Sequence, residues 1–283
     1  MSLRARAPAK VNLCLYVGEP RADGLHPLVS VVQALSLADE LTLEPAEGED
    51  DELVCPGVEG PNLAARALAL FREAAGWDAP AQRLAIEKRI PVAAGMGGGS
   101  SDAAAALRLA AHAAGRPVPD ALAPRLGADV ASLLRPGRVL MTGAGEHVEP
   151  LEAAPPLGVL VLPVDAALST PEVYREADRL GLARPAEELA EWDARVRRGE
   201  WAVHNDLQDA ARSLCPAIEP ALAAARDLGA DAVLVSGSGP TVAGLFHGGE
   251  GPARAAAAAR DGGWPRAVAA EPVDAAWAAV RTA

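Results

Sequence analysis

Aromatic residues, cysteines and long apolar segments are all scarce in this chain of 283 residues. Aromatic residues make up 3% of it, and the three cysteines, Cys14, Cys55 and Cys215, lie far apart without a CxxC motif. This pattern predicts neither a disulfide framework nor a zinc site. No apolar run approaches the roughly 18 to 20 residues of a membrane helix, and the basic start is not followed by the apolar segment of a secretory signal. We therefore expect a cytoplasmic protein that does not bind a membrane.

Positive charge is also in deficit, since 26 lysines and arginines stand against 38 aspartates and glutamates, a net charge of −12. A surplus of negative charge disfavours nucleic acid and anionic lipid as partners, whereas a locally positive loop can still bind a small anion. The length favours two closely packed lobes. The boundary is predicted at Ala-Ala-Pro-Pro-Leu, residues 153–157, which gives lobes of residues 1–153 and 154–283. The sequence does not decide between a monomer and a homodimer.

Apolar periodicity and turn residues predict an α+β fold, in which strands come in groups with helices between and after them. In the first lobe, strands are predicted at 4–17, 28–37, 41–44, 83–90 and 139–142, with a turn at 38–40, and helices at 62–75, about 102–114, 120–126 and 130–134. In the second lobe, strands are predicted at 158–163, 232–235, 242–246 and 268–271, and helices at 171–181, 185–196, 206–213, 218–228 and 252–260. Asn62 and Gly115 are predicted helix caps.

The most informative segment is Pro-Val-Ala-Ala-Gly-Met-Gly-Gly-Gly-Ser-Ser-Asp-Ala-Ala-Ala-Ala, residues 91–106. Its glycines allow a ligand to approach the backbone closely, and its Ser-Ser-Asp run predicts a helix N-cap. A helix N-terminus in turn attracts anions such as phosphate. No lysine follows the glycines, as a Walker A loop requires, and Ser100 stands where a dinucleotide fingerprint has its third glycine. We predict a phosphate loop of another type, the alternative being a tight turn beside a closely packed helix.

Four other residues could carry chemistry, and each also has a structural interpretation. Lys10 lies within an apolar strand, where it is either functional or an edge residue that extends to solvent. His26 is either an ordinary histidine of a surface loop or a group that binds a polar ring edge. Asp129 begins a predicted helix, either as its N-cap or as a base that accepts a hydroxyl proton. Tyr174 is a core residue or a stacking face for a base.

A second glycine turn, Ser-Gly-Ser-Gly-Pro-Thr, occupies residues 236–241 between two predicted strands. By itself it is typical of a hairpin. Next to the first glycine loop it would form a second wall of one phosphate cradle.

Three of these segments, residues 8–13, 91–106 and 236–241, resemble the GHMP kinase superfamily of small-molecule kinases. Within it the chain most resembles the family that phosphorylates 4-diphosphocytidyl-2-C-methyl-D-erythritol, on the segments Pro-Ala-Lys-Val-Asn-Leu at 8–13, Arg-Ala-Asp-Gly-Leu-His at 21–26, Gly-Ala-Asp-Val at 127–130 and His-Asn-Asp-Leu at 204–207. The resemblance implies a first lobe like ribosomal protein S5 domain 2, a ferredoxin-like second lobe, and a cleft between them for the substrates. It also implies transfer of the ATP γ-phosphate to the 2-hydroxyl of the erythritol unit, a step of the non-mevalonate route to isoprenoids.

The resemblance also implies roles for single residues. Asp129 matches the catalytic base, and Lys10 matches its basic partner. Asn12, His26 and Tyr174 match contacts to the cytidine-diphosphate-linked methylerythritol, with His26 and Tyr174 at the cytosine. The ATP loop comprises Pro91, Val92, Ala93, Ala94, Gly95, Met96, Gly97, Gly98, Gly99, Ser100 and Ser101, with Ser101 as a candidate ligand of the Mg²⁺ that accompanies ATP.

Two positions depart from the pattern. Leu25 stands where many relatives have an aromatic residue before the histidine, so a two-sided aromatic sandwich of the base is excluded. Asp102 replaces the asparagine of some relatives and adds negative charge near the ATP phosphates. Three competing interpretations remain: a superfamily kinase for mevalonate derivatives or homoserine, a nucleotide-binding module without turnover, and a structural protein whose glycines only form turns.

Overall fold

The computed structural model describes residues 2–92, 94–152, 157–248 and 250–282. Its strands are β1 (Leu3–Val17), β2 (Leu28–Pro45), β3 (Glu52–Val54), β4 (Gln82–Glu87), β5 (Arg138–Thr142), β6 (His147–Pro150), β7 (Leu157–Leu162), β8 (His204–Asn205), β9 (Ala232–Val235), β10 (Val242–His247), β11 (Val268–Ala270) and β12 (Arg281–Thr282). Its helices are α1 (Leu63–Ala75), α2 (Gly98–Ala114), α3 (Leu122–Leu126), α4 (Ala128–Leu134), α5 (Thr170–Leu180), α6 (Ala186–Arg197), α7 (Gln208–Leu214), α8 (Ile218–Asp227) and α9 (Gly251–Asp261).

Two sheets organise this part of the chain. The larger sheet runs β12-β1-β2-β4-β3, with β5 and β8 added to β2 and β1 and with β6 added to β5. Its centre is the long antiparallel ladder of β1 and β2, which extends from Leu3 opposite Leu43 to Val17 opposite Leu28. The smaller sheet, β11-β7-β10-β9, is antiparallel throughout. The α+β class predicted from the sequence is therefore confirmed.

Three apolar clusters hold the two sheets and their helices in four layers. The first packs α1 to α4 on one face of the larger sheet, with Phe71 and Leu107 fully buried. The second packs α5 and α7 to α9 on the smaller sheet, and the third joins the two sheets face to face. Strand β7 shows the alternation that this requires: Leu160 and Leu162 contribute to the helix side, whereas Val159 and Val161 contribute to the sheet–sheet side.

Locally encoded features form as the sequence predicts. Asn62 caps α1, because its side-chain oxygen accepts a hydrogen bond from the backbone N–H of Ala64 at 2.9 Å. Gly115 ends α2 in the left-handed conformation, with φ +61°. The strand predicted at 232–235 is found at Ala232–Val235. Other boundaries differ by a few residues, and the short strands β3, β6, β8 and β12 have no counterpart among the predicted elements.

Two local predictions are wrong. Helix α2 begins at Gly98 and not near Asp102, and its N-cap is Gly97 in the left-handed conformation, so none of the Ser-Ser-Asp residues is the cap. The predicted turn at 38–40 is absent, because β2 continues through it opposite β1. The β1–β2 ladder continues past this segment with a register shift, in which Ala9 lies opposite Leu35 and Pro8 lies opposite Ala38.

The predicted lobe boundary falls on residues 153–156, which lie outside the described residues. The strands before it belong to the larger sheet, and β7 after it belongs to the smaller one. However, β8 and β12 lie in the second half of the chain and pair with β1 of the larger sheet. The ranges 1–153 and 154–283 thus stay a prediction about domains, and the sheets themselves do not divide cleanly at that point.

Candidate active site

A cavity of about 870 Å³ lies where segments of both lobes meet, and it is large for a small-molecule site. Strand β1, residues 91–92 and 94–100, the start of α4, one face of α5 and the turn at 237–238 all contribute to its wall. Among the sequence-predicted site residues, the wall contains Lys10, Asn12, His26, Asp129, Tyr174 and the loop residues Pro91, Val92, Ala94, Gly95, Met96, Gly97, Gly98, Gly99 and Ser100. Ala93 lies outside the described residues.

The two glycine turns meet directly. Gly95 has φ +72°, and a Cβ at this position would lie 2.4 Å from the carbonyl oxygen of Ser236 and 2.7 Å from that of Gly239. The Ser236 hydroxyl donates a hydrogen bond to the Gly95 carbonyl at 3.2 Å. The backbones can approach this closely only because residue 95 has no side chain. Residues 237–238 therefore face the same cavity as the first loop.

The glycine loop is also anchored to β1. The backbone N–H of Lys10 donates to the Met96 carbonyl at 3.0 Å. Gly97, with φ +68°, lets the Lys10 side chain pass, since a Cβ there would lie 3.0 Å from Lys10 Cγ. The first turn of α2 directs its unpaired N–H groups toward the loop, as a phosphate site requires.

Ser101 differs from its expected position. Its side chain is fully buried, and its hydroxyl donates to the Pro8 carbonyl at 2.7 Å. Ser101 does not line the cavity, whereas Ser100 does. In this structure Ser101 thus ties α2 to β1, and Ser100 presents the serine side chain at the cavity wall.

Lys10 and Asp129 come together although about 120 residues separate them in the sequence. Lys10 Nζ lies 3.6 Å from Asp129 Oδ2, with the lysine buried and the Asp129 side chain 33% exposed. Lys10 Nζ also donates to Asn12 Oδ1 at 2.8 Å, and Asn12 Nδ2 donates to Ser30 Oγ at 2.8 Å. The ammonium is therefore oriented by a hydrogen-bond chain inside β1 and β2. A buried lysine held in this way is costly unless it has partners, which these contacts supply.

Asp129 lies in the first turn of α4, and Gly127 is the N-cap of that helix. The carboxylate is therefore free of a capping role. Arg108 of α2 donates to the Leu133 carbonyl at the end of α4 and to the Arg6 carbonyl of β1, each at 2.7 Å. Arg108 thus fixes the helix that carries Asp129 against the strand that carries Lys10.

His26 and Tyr174 form the other end of the cavity. Their ring centroids are 5.0 Å apart at an angle of 48°. His26 Nδ1 donates to the Gly18 carbonyl at 2.8 Å, and Nε2 lies 3.3 Å from Asp178 Oδ2. Tyr174 packs on the apolar cluster of the smaller sheet, so it is both a packing residue and a cavity wall. Burial, together with the nearby Asp129 carboxylate, raises the pKa of Tyr174 to about 12.

Leu25 lines the same end of the cavity and is 52% exposed. An exposed leucine at a cavity wall offers an apolar face to a ligand. Leu25 is therefore available to pack on one face of a bound ring.

A buried charge cluster next to the glycine loop was not found from the sequence. Lys88 Nζ donates to both Asp39 Oδ2 and Asp102 Oδ2, the latter at 2.7 Å. The backbone N–H groups of Arg89 and Ile90 donate to Asp39 Oδ1. Asp39 and Lys88 thus connect the segment before the loop with the helix after it.

Within this cluster Asp102 is buried, and its Oδ1 atom has no hydrogen-bond partner. Burial, with Asp39 close by, raises the pKa of Asp102 to about 7 against the opposing effect of Lys88. The negative charge that Asp102 was expected to add near the phosphates is therefore strongly disfavoured by its surroundings.

Neither a metal cluster nor a membrane span is found within the described ranges. No group of three or more histidine, cysteine, aspartate or glutamate side chains there could hold a metal ion. No helix among those residues is long and apolar enough to cross a bilayer.

Comparison with known proteins identifies the family. The model of the GHMP kinases N terminal domain matches residues 62–135, and that of the GHMP kinases C terminal domain matches residues 185–263. A curated 4-diphosphocytidyl-2-C-methyl-D-erythritol kinase of Kineococcus radiotolerans is 44% identical to this chain, across 92% of the chain and 84% of the relative. The corresponding kinase of Streptomyces coelicolor is 43% identical, across 86% of the chain and 87% of the relative.

A solved structure agrees with these relatives. A crystal structure of 4-(cytidine 5'-diphospho)-2C-methyl-D-erythritol kinase superposes with a TM-score of 0.76 at 40% identity, across 95% of this chain and 98% of that one. The two-lobe kinase fold expected from the sequence is thereby confirmed, and the chain is a small-molecule kinase that uses ATP. It belongs to the 4-diphosphocytidyl-2-C-methyl-D-erythritol kinase family of the GHMP kinase superfamily.

Proposed function

We propose that this chain transfers the γ-phosphate of ATP to the 2-hydroxyl of 4-diphosphocytidyl-2-C-methyl-D-erythritol, with Lys10 and Asp129 at the reacting hydroxyl. The contact that carries the proposal is the 3.6 Å pair of Lys10 Nζ and Asp129 Oδ2 in the wall of the cavity that also contains the glycine loop. The names of the relatives, at 43% and 44% identity over most of the chain, supply the substrate.

Phosphoryl transfer requires alignment of the groups and stabilisation of charge more than covalent chemistry from the protein. Asp129 Oδ2 accepts the proton of the substrate hydroxyl while the hydroxyl oxygen attacks the γ-phosphorus of ATP. Lys10, next to that carboxylate, stabilises the negative charge that develops on the attacking oxygen and on the transferred group. Asn12 holds Lys10 through its Oδ1 atom, which supports a role in positioning the ammonium in addition to the expected substrate contact.

The glycine loop holds the phosphates of ATP. Residues 94–100 supply backbone N–H groups, and the N-terminus of α2 adds the positive end of its dipole. The turn at 237–238, which follows the contact of Ser236 with Gly95, lines the same cavity. Because the cavity wall bears few positive side chains, backbone dipoles and Lys10 have to provide most of the attraction for the phosphates.

Mg²⁺ enters the proposal with ATP. Mg²⁺ is commonly held by substrate phosphates, water and one or two protein oxygens. Ser100, at the cavity wall, would supply a hydroxyl oxygen, whereas the buried Ser101 hydroxyl is bonded to Pro8. When bound, the ion would neutralise charge on the phosphates.

His26, Tyr174 and Leu25 are assigned to the cytidine end of the substrate. The distance of 5.0 Å between the His26 and Tyr174 rings places both at one part of the cavity wall, and the exposed Leu25 supplies an apolar contact for one face of a flat ring. We place the reaction in the cytoplasm, as the composition predicts, and we propose residues 1–153 and 154–283 as the two lobes.

The test is ADP release by the purified protein with ATP and Mg²⁺ and four acceptors in parallel: the cytidyl substrate, methylerythritol phosphate without the cytidyl group, mevalonate and homoserine. Turnover of the cytidyl substrate alone supports the proposal. Turnover of another acceptor would keep the kinase and remove His26 and Tyr174 from base recognition. If all four fail, the proposal is wrong.

Two competing interpretations involve no catalysis: a nucleotide-binding module and a structural protein. Thermal unfolding with and without ATP separates them. A ligand that binds only the folded state at 100 times its Kd adds about 2.7 kcal/mol of stability. A nucleotide-binding module would be stabilised by ATP although it releases no ADP, whereas a structural protein would not be stabilised.

A further inference from the structure

We infer that Asp178 is a specificity-determining residue that, together with His26, selects a substrate base bearing an exocyclic amino group. The inference rests on the proposed function, because it requires a nucleoside at the His26–Tyr174 end of the cavity. Asp178 was not among the residues expected from the sequence or from the family resemblance.

Asp178 is placed for such a contact. It lies four residues after Tyr174 on α5, so the two side chains share one face of the helix. Both line the cavity. The Asp178 side chain is 39% exposed, whereas that of His26 is 8% exposed. The carboxylate is therefore the accessible member of the pair, and the imidazole is the fixed one.

The hydrogen-bond pattern of His26 determines what this pair can bind. The Gly18 carbonyl accepts from Nδ1 at 2.8 Å, which places a hydrogen on Nδ1. The other ring nitrogen, Nε2, faces Asp178 Oδ2 at 3.3 Å, so the imidazole is held between the Gly18 carbonyl and the carboxylate. Carboxylate oxygens are hydrogen-bond acceptors, and this side chain is 39% exposed at the cavity wall. The carboxylate is therefore accessible to an N–H donor of a ligand.

An exocyclic amino group supplies such a donor, because one of its N–H bonds can reach the exposed carboxylate at about 2.9 Å. His26 stays bonded to Gly18 and lies next to the carboxylate, which it helps to position. Carboxylates are suitable acceptors for the amino group of cytosine.

A keto oxygen in the same place would set a second acceptor against the carboxylate. Uracil differs from cytosine at this position by having a carbonyl instead of an amino group, and it would leave the carboxylate without a donor. A site built to bind N–H groups rejects an analogue that lacks them, because its own polar groups then lose their partners. The pair therefore predicts a preference for cytidyl over uridyl substrates.

The test compares kcat/KM for the cytidyl substrate and for its uridyl analogue in the wild type, Asp178→Asn and Asp178→Ala. The amide of the asparagine variant can donate to a keto oxygen, so we expect it to lower the preference about tenfold to a hundredfold. The alanine variant should lower it through loss of the cytidyl substrate alone. The KM for ATP should change less than twofold in both.

Glu172→Gln is the matched control, since it removes one charge from an exposed position of the same helix that does not line the cavity. It should leave the preference unchanged. Calorimetric titration with CDP and with UDP gives a second readout that needs no turnover. It should show the wild-type preference for CDP falling in both Asp178 variants.

A preference that stays within twofold of the wild type in both Asp178 variants, in turnover and in binding, would overturn the inference. So would a wild type that binds CDP and UDP equally. Failure of the proposed function gives a different result, namely no turnover of the cytidyl substrate by the wild type, and the CDP and UDP titrations still decide the role of Asp178 in that case.

Discussion

Lys10 and Asp129 show how much of the site depends on long-range folding. Each residue alone has an ordinary structural interpretation, as a strand lysine or as a helix-start aspartate. Only the folded chain brings them to 3.6 Å, because β1 and α4 are joined through Arg108 and the cluster of buried side chains around it. Residue patterns alone could not predict this contact, and the family resemblance supplied it.

Replacement of the proposed base should separate chemistry from folding. Asp129→Asn keeps the size of the side chain but cannot accept the hydroxyl proton, so we expect kcat to fall by about 10² to 10⁴. The melting temperature should stay within about 2 °C of the wild type, because the Asp129 side chain is 33% exposed and does not cap α4. A kcat within a few-fold of the wild type would remove Asp129 from this role.

Tyr174 combines two functions that a mutation can separate. Tyr174→Ala removes the ring at the cavity wall, and we expect the KM for the cytidyl substrate to rise about five- to fiftyfold, as the loss of one base-stacking contact predicts. The KM for ATP should rise less. Tyr174→Phe is the matched control, since it keeps the ring face and should leave both values nearly unchanged. An unchanged KM for the cytidyl substrate in the alanine variant would make Tyr174 a packing residue only.

Asp178 and Lys88 were not identified from the sequence as residues of the site, because a single charged residue is usually solvated. A usable signal existed for Asp178, since it lies four positions after Tyr174 and therefore on the same helix face. Lys88 directly follows β4, shortly before the glycine loop, but its two buried carboxylate partners come from β2 and α2. That combination could not be derived from local sequence.

At the scale of loops and helices, the contact between the two glycine turns requires a residue without a side chain at position 95. Gly95→Ala would place a methyl group 2.4 Å from the Ser236 carbonyl oxygen, in a backbone with φ +72°. We expect a loss of about 2 kcal/mol or more in the free energy of unfolding and a higher KM for ATP. Urea unfolding and ATP kinetics check both effects.

Gly99→Ala is the control for this substitution. Gly99 lies inside α2, and a Cβ there would have no protein atom within 4 Å. Alanine is the better helix former, so the free energy of unfolding should be unchanged or higher by about 0.5–1 kcal/mol. Equal stability of the two variants would contradict the close approach of the turns.

Asp102, near the start of α2, makes the free energy of unfolding depend on pH. Its pKa of about 7 in the folded protein lies above the ordinary value of 3.8, so the folded state binds the proton more tightly than the unfolded chain. The stabilisation from this proton is complete below about pH 4 and is lost as the pH rises toward 7. Protein with a neutral side chain at this position should not show this loss.

We therefore expect Asp102→Asn to lose less stability than the wild type between pH 5 and pH 8. The difference should be about 1 kcal/mol or more, which corresponds to about 2–4 °C in melting temperature. Lys88 keeps Asp39 as its partner in this variant. Parallel pH profiles for the two proteins would show that Asp102 titrates normally in the folded state.

The elements that the sequence predicts well are those fixed by neighbouring residues, such as the Asn62 cap, the Gly115 terminus and the strand at 232–235. The two wrong predictions have long-range causes. A turn at 38–40 is reasonable for Ala-Asp-Glu, yet Asp39 is buried by its contacts with residues 88–90. The Ser-Ser-Asp run has good caps, yet the serine hydroxyl of residue 101 and the carboxylate of residue 102 are engaged with β1 and Lys88.

In the molecule as a whole, the two sheets share one apolar cluster, and short strands from the second half of the chain join the larger sheet. The lobes are thus firmly connected, and the cavity between them combines the glycine loop, the Lys10–Asp129 pair and the ring-binding end. This arrangement accounts for a reaction between two bulky substrates, since each lobe contributes walls to one open cavity.

The most direct measurement is identification of the product by ³¹P and ¹³C NMR after incubation with ATP, Mg²⁺ and the cytidyl substrate. We predict one new phosphomonoester for each ADP formed, with its phosphorus coupled to carbon 2 of the erythritol unit. A phosphate on another hydroxyl, or release of inorganic phosphate without a phosphorylated product, would contradict the assignment of Asp129 and Lys10 to that hydroxyl.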